Sequence, residues 1–170
     1  LEIKGEGSPR IPHPQDKSWN GLSLPWMAFG YGVAITPLQT LTFYNAIAND
    51  GEMIKPRFIK AVKDRDKSII TMDKQVMNPS ICSPETAAKV REMMKNTVER
   101  GTAANIYTEN FSMAGKTGTC QTEYWIEPGR YIASFAGYFP AEDPKYSCIV
   151  VIHKPNRRKG YYGNIVAAPV

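Results

Sequence analysis

The segment Ala114-Gly115-Lys116-Thr117-Gly118-Thr119 has the residue types and spacing of a site for an anionic ligand. Two glycines inside a stretch with strand character weaken a strand, and they often mark a place where a ligand or another backbone comes close. Here they flank Lys116 and Thr117, with Thr119 just beyond the second glycine. Lys116 supplies a positive charge, Thr117 and Thr119 supply hydroxyls that hydrogen-bond a carboxylate, and Gly118 lets an extended peptide lie along the backbone. A plain alternative is an edge strand carrying a solvated lysine. A phosphate loop is a second alternative, since Gly115-Lys116-Thr117 matches the end of Gly-x-x-x-x-Gly-Lys-Thr. That pattern needs glycine at position 110, where the chain has Asn110, and a helix after the threonine, where it continues as Gly118-Thr119-Cys120. Nucleotide binding is therefore not expected.

Other chemistry finds little support. There is no Gly-x-Ser-x-Gly elbow and no His-Glu-x-x-His pair. His13 sits in a proline-rich stretch and His153 at a strand end. Cys82, Cys120 and Cys148 form no Cys-x-x-Cys pair, so neither a zinc site nor a disulfide framework is expected, and all three read as buried free thiols. The run Asn156-Arg157-Arg158-Lys159 reads as a solvated loop leading into a last helix, not as a nucleic-acid contact. The net charge of +5 is too small to select a partner class by itself. No metal or cofactor is expected.

The elements that must position Lys116 and its neighbours are legible from local signals. Thr36 can N-cap a helix with Pro37 in its first turn, running to Asn49-Asp50-Gly51. Ser83, Pro84 and Glu85 start a second helix whose apolar face is Ala87, Val90, Met93, Met94 and Val98, and Arg100-Gly101 stops it. A short helix is expected over 102–109. Segments 57–63 and 68–72 read as a hairpin turning at Asp64-Arg65-Asp66-Lys67. Strands are expected near 111–121, 131–139 and 146–153, with Pro128-Gly129 in the first connection and Pro140 to Lys145 in the second. Three strands in succession imply an antiparallel meander. Residues 1–25 read as irregular, pinned to the body by Trp19 and Trp26.

A length of 170 residues with 42% hydrophobic and 22% charged residues excludes a disordered tail and allows a core. The longest apolar run, Cys148 to Ile152, is strand-sized, far short of the ~20 residues of a membrane helix. The chain opens on Leu1 and closes on Pro169-Val170, which leads us to expect a piece of a longer protein.

Lys-Thr-Gly is also a signature of the penicillin-binding proteins and serine β-lactamases, and the segments around it resemble class B penicillin-binding proteins. Phe29-Gly30-Tyr31-Gly32-Val33-Ala34-Ile35-Thr36-Pro37-Leu38-Gln39 is similar to the stretch before a core helix of that family, and Ala46 to Gly51 to the end of that helix. Val98 to Ala103 resembles the family's Gly-Thr-Ala turn. Ser134 to Pro140 resembles the strand beside Lys-Thr-Gly, and Tyr161-Tyr162-Gly163 with Ala167 to Val170 the start of the last helix. The resemblance covers nearly the whole chain. It implies an α+β fold of the transpeptidase and serine β-lactamase type, an antiparallel sheet packed with helices, of which residues 1–170 are the C-terminal part. It implies peptidoglycan cross-linking: a serine attacks a D-Ala-D-Ala stem peptide, forms an acyl-enzyme, and an amine of a second stem peptide resolves it. Lys116 and Thr119 are then the expected catalytic contributors, and Lys116, Thr117, Gly118 and Thr119 the substrate-binding set, with the Thr119 N–H as half of the oxyanion hole.

The resemblance also implies β-lactams as ligands, other wall-synthesis proteins as partners, and residence at the outer face of the cytoplasmic membrane through an anchor outside this chain. No nucleic acid and no membrane contact are expected from this segment. The family's nucleophile lies in Ser-x-x-Lys, and no serine here has a lysine three positions on. Ser18-Trp19-Asn20 fits the letters of the family's Ser-x-Asn but lies too close to Phe29–Gln39 for that role. Cys120 stands where the family usually has alanine. A different class on the same fold, a penicillin sensor or inactive binding module, would carry the same strand; the Gly30 to Gln39 stretch favours the synthase. The Phe29–Gln39 and Tyr161–Val170 segments lean towards the cell-division branch.

Overall fold

A computed structural model describes residues 3–65, 67–123, 125–126 and 129–170. The expected turn residue Asp66 and loop residue Pro128 lie outside them.

Helix α1 (Ser23–Ala28) is followed by α2 (Pro37–Ala48). Thr36 caps α2 as expected: its side chain accepts the Gln39 N–H and the Gln39 side chain accepts the Thr36 N–H, a reciprocal pair that satisfies two otherwise orphaned donors. The helix closes through Asp50 and Gly51, both at positive φ, with the Gly51 N–H returned to the Ala46 carbonyl. Strand β1 (Met53–Ile54) comes next, then the hairpin β2 (Ala61–Asp64) and β3 (Lys67–Thr71), then β4 (Val76–Asn78), which pairs with β1. Helix α3 (Pro84–Glu99) is capped by the Ser83 side chain, which accepts the Thr86 N–H at 3.2 Å. A 3₁₀ turn (Ala104–Ile106) precedes β5 (Ala114–Thr122), β6 (Arg130–Phe139) and β7 (Tyr146–His153), and α4 (Gly163–Val166) is the last element.

The meander β5-β6-β7 is antiparallel throughout, in unbroken register from Ala114↔Tyr138 to Thr122↔Arg130 and from Ile132↔His153 to Phe139↔Tyr146. Its two faces bury separate clusters. One joins Ile47 and Ala48 of α2 and Met94 of α3 to Ala114, Tyr138 and Ala141. The other joins Val98, Ala103 and Ala167 to Phe135. Successive strand residues alternate faces, so Ala114 and Gly115 serve different clusters. A Cβ at Gly115 would overlap the Phe135 ring, which explains a glycine there. Burial pushes the Tyr138 phenol up to about 12 against an opposing effect of Arg91, so the ring is neutral in the core.

The α+β class and the three-strand meander agree with the sequence reading, while several local expectations do not. Met93 is exposed; the face of α3 turned to the core is Ala87, Val90, Met94 and Val98. The first strand of the meander starts at Ala114, not 111, and the helix expected over 102–109 is one 3₁₀ turn. Helix α1 and the β1–β4 pair were not expected; they are short and carry little periodicity. The hairpin is real, but its first strand starts at Ala61 rather than 57, Asp64 and Lys67 pair within the strands instead of forming the turn, and every residue of β3 is exposed, so its alternation marks no core face. Trp26, in α1, is 40% exposed and meets the rings of Phe29 and Tyr31 just beyond the helix, while Trp19 is half-buried. The cysteines are free, but Cys82 and Cys120 are half-buried and Cys148 is exposed.

One ion pair ties α3 to the meander. Lys95 Nζ lies 2.6 Å from Glu142, whose other oxygen accepts from the Ser112 hydroxyl. Lys95 first, then Ser112, lowers the Glu142 carboxyl to about 2 from the usual 4.5. A depressed folded-state value stabilises the protein above the unfolded-state value, and that contribution disappears as pH falls through the folded one. Acid unfolding is therefore expected to steepen between pH 4.5 and about 2, and Glu142→Gln to flatten it. The pair is solvent-exposed, so the effect shrinks with salt. Urea unfolding across that pH range, with and without added salt, measures it.

Candidate functional site

Lys116, Thr117, Gly118 and Thr119 lie mid-strand in β5, which pairs with β6 on one side only. In an antiparallel pair the backbone groups of alternate residues point towards the partner and away from it. Two hydrogen bonds fix which are which. The Gln121 N–H leaves the sheet and donates to the Tyr31 hydroxyl at 3.2 Å. Tyr131, opposite Gln121, turns its carbonyl to β7, where it accepts the Lys154 N–H at 2.9 Å. Gln121, Thr119 and Thr117 therefore present N–H and C=O on the outer edge, while Gly118 and Lys116 bond to β6.

On that edge the groups are not equally available. The Thr117 carbonyl accepts Lys116 Nζ at 2.8 Å, which folds the lysine back along the strand. Thr119 keeps its outward N–H and C=O unpaired among the described residues. The result is an open backbone donor beside an ammonium group, the arrangement that holds a carboxylate and a carbonyl oxygen at adjacent points.

Side chains divide by face. Thr117 and Thr119 point to the side of α4 and the end of α3. The Thr117 hydroxyl is 3.2 Å from that of Thr102, in the turn that ends α3. Thr119 Oγ1 accepts the Gly163 N–H at 3.0 Å, which leaves its own proton free to donate to a ligand. Gly163 lies directly over the β5–β6 ladder; a Cβ there would overlap the carbonyl oxygens of Ser134 and Gly118. Lys116, Gly118 and Cys120 point to the opposite face. A Cβ at Gly118 would come within 2.5 Å of Ser134 Oγ, so this position admits glycine for packing as well as for access. Lys116 and Thr119 are exposed, and Thr117 and Gly118 half-buried. Burial raises the Cys120 thiol above its ordinary value, with the Tyr31 hydroxyl opposing; the thiol is the protonated form at neutral pH.

Aromatic side chains flank the far end of the strand. Tyr131 and Tyr161 stack at 4.3 Å, Tyr161 and Tyr162 lie 4.4 Å apart, and Arg157 sits 5.9 Å above the Tyr131 ring. The Tyr161 hydroxyl donates to Tyr162 at 3.0 Å, and this bond heads the causes that raise the Tyr161 phenol. The loop Asn156 to Lys159 is exposed, as expected, with Arg157 turned back onto the ring.

All four strand residues singled out in the sequence thus sit along one accessible edge. The sequence reading missed Thr102 and Gly163 as the partners of Thr117 and Thr119, and Tyr31 as the partner of Gln121. Gly30 and Gly32, both at positive φ, bracket Tyr31 and are the one local sign that this tyrosine is held in place.

Comparison with known proteins identifies the family. Residues 10–170 match the model of the penicillin-binding protein transpeptidase domain. Penicillin-binding protein PbpB of Mycolicibacterium smegmatis is 32% identical over 99% of this chain and 27% of its own length. Stage V sporulation protein D of Bacillus subtilis is 32% identical over 100% of this chain and 26% of its own. Penicillin-binding protein 3 of Mycobacterium tuberculosis, in its apo form, superposes with a TM-score of 0.76 at 32% identity, covering 97% of this chain and 39% of that one. The chain belongs to the penicillin-binding protein transpeptidase domain family. It spans about a quarter of the length of these curated relatives.

Proposed function

We propose that this chain forms the substrate-binding wall of a class B peptidoglycan DD-transpeptidase, and that residues 1–170 are the C-terminal part of its transpeptidase domain. The observation that carries the proposal is the open Thr119 N–H on the outer edge of β5, with Lys116 and two threonine hydroxyls beside it. Probable D,D-transpeptidases and β-lactam acyl-enzymes occur among the chain's relatives and structural neighbours, which supports the same reading.

The chemistry follows from the donors. A stem peptide ending in D-Ala-D-Ala lays its terminal carboxylate against Lys116, Thr117 and Thr119. Its scissile carbonyl oxygen points at the Thr119 N–H. A serine of the parent protein, outside this chain, bonds through Oγ to the carbonyl carbon while its proton leaves. The carbonyl oxygen becomes an oxyanion held by the N–H. The C–N bond then breaks, and the terminal D-Ala departs with a proton on its nitrogen. An amine of a second stem peptide attacks the ester, loses a proton, and releases the serine, leaving a new amide crosslink. Lys116 fixes the field of the pocket and assists the proton movements. A β-lactam acylates the same serine, its ring carboxylate taking the place of the terminal one.

The parent acts in cell-wall synthesis at the outer face of the cytoplasmic membrane, alongside other wall-synthesis proteins. Phe29–Gln39 and Tyr161–Val170 support a division role. The parent protein is expected to take one labelled penicillin, mapped by peptide mass analysis to a serine outside residues 1–170. A parent that takes no label, or a label mapped inside this chain, would refute the proposal.

A further inference from the structure

We infer that Tyr31 is a specificity-determining residue: its hydroxyl holds the Gln121 N–H, so that backbone recognition of a donor peptide along β5 ends at Thr119. The inference rests on the transpeptidase reading above, which sets the direction of the donor. With the terminal carboxylate at Lys116 and Thr117 and the scissile carbonyl at Thr119, the remainder of the donor runs towards Gln121.

An extended peptide that adds to a strand edge pairs with every second residue of it. The residue bearing the scissile carbonyl would pair with Thr119, and the residue two before it with Gln121. The outward N–H of Gln121, the donor that such a pairing needs, is already engaged. The N–H is bonded to Tyr31 Oη at 3.2 Å, and the carbonyl faces Cys120 Sγ at 3.5 Å. Edge strands elsewhere are protected from indiscriminate pairing by comparable local devices.

The tyrosine is built to stay there. Gly30 and Gly32 take φ of +95° and +77° on either side of it, a conformation that L side chains rarely adopt. Its N–H is bonded to the Trp26 carbonyl at 3.0 Å, and its ring meets those of Trp26 and Phe29 edge-on, each at 5.6 Å. Three residues later the chain is tied down by the reciprocal bonds between Ala34 and Arg10, at 2.7 and 2.8 Å. The substrate class this defines is a peptide read through the backbone at its last two residues. Residues further in are met only by side chains, among them the rings of Tyr31 and Phe29, so their chemistry is tolerated more widely.

The test uses the parent protein and synthetic donors ending in D-Ala-D-Ala, with release of D-Ala as the readout. Penicillin labelling of the wild type serves as a separate control: if it fails, the transpeptidase reading fails and not this inference. In the wild type, replacing the carbonyl two residues before the scissile one by a methylene is expected to change kcat/KM by less than twofold. A loss of about fivefold or more, what one hydrogen bond returns, would overturn the inference without recourse to any variant. In Tyr31→Phe, which keeps the ring and removes the hydroxyl, the same replacement is expected to cost about fivefold, because Gln121 is now open, and exchange of the Gln121 amide is expected to accelerate. An unchanged response in a variant that still takes penicillin would overturn it as well.

Discussion

Replacing Lys116 by alanine in the parent protein is expected to slow acylation by a labelled penicillin on the order of 10²-fold or more, with little change in stability. Removing one preorganised donor or one proton-transfer group from an active site typically costs 10² to 10³ in rate. Lys116 contributes in both ways under the proposed mechanism: it is the cation nearest the open Thr119 N–H on the strand, and its ammonium already lies along the substrate edge, 2.8 Å from the Thr117 carbonyl. The side chain is exposed, so its loss leaves no cavity, and unfolding should move by no more than about 0.5 kcal/mol. Arginine should not restore the rate, because a planar fork does not reproduce a compact ammonium. Stopped-flow or gel-based labelling, paired with urea unfolding, separates the two effects. Acylation at the wild-type rate in Lys116→Ala would remove the lysine from the mechanism.

Gly163→Ala is expected to act on the fold and the site together. Its Cβ would overlap two carbonyl oxygens of the β5–β6 ladder, those of Ser134 and Gly118. Both belong to paired backbone, which cannot retreat without breaking the sheet, so α4 must lift instead. Overpacking of this kind costs about 1–3 kcal/mol. Lifting α4 also withdraws the N–H that holds Thr119 Oγ1 at 3.0 Å, and a displacement of this size at a reacting geometry can lower rates by up to about 10²-fold. Both losses should appear in one variant: a lower urea midpoint and slower penicillin acylation. Asn164→Ala, one residue on, carries no such overlap and should stay within about 0.5 kcal/mol of the parent. Equal behaviour of the two variants would show that the close seat of α4 on the ladder does not matter.

The parts of this molecule that depend on neighbours in the chain were legible without a structure. Thr36-Pro37 and Ser83-Pro84 start their helices where caps and prolines must, because a cap bonds a backbone N–H two or three residues on. The meander strands were found within a few residues because alternation and turn residues are local. Lys116-Thr117-Gly118-Thr119 stood out because two glycines beside a lysine and two threonines are an uneconomical way to build a plain strand. Where local signals were weak or two-sided, the reading missed: α1 is only six residues long, and β3 alternates without any core beneath it.

What the sequence by itself determined is the chemistry on offer at the β5 edge: one ammonium, two hydroxyls and a strand thin enough to be approached. Only the tertiary structure decided which backbone groups remain open there. Tyr31 reaches Gln121 across 90 residues of chain, and Gly163 reaches Thr119 across 44. Neither contact leaves a periodic trace, since each depends on where a loop and a helix start come to rest against the sheet. The physical reason is the geometry of an edge strand. Every second residue offers a donor and an acceptor to whatever arrives, and the fold engages the donor of Gln121 while leaving both groups of Thr119 open.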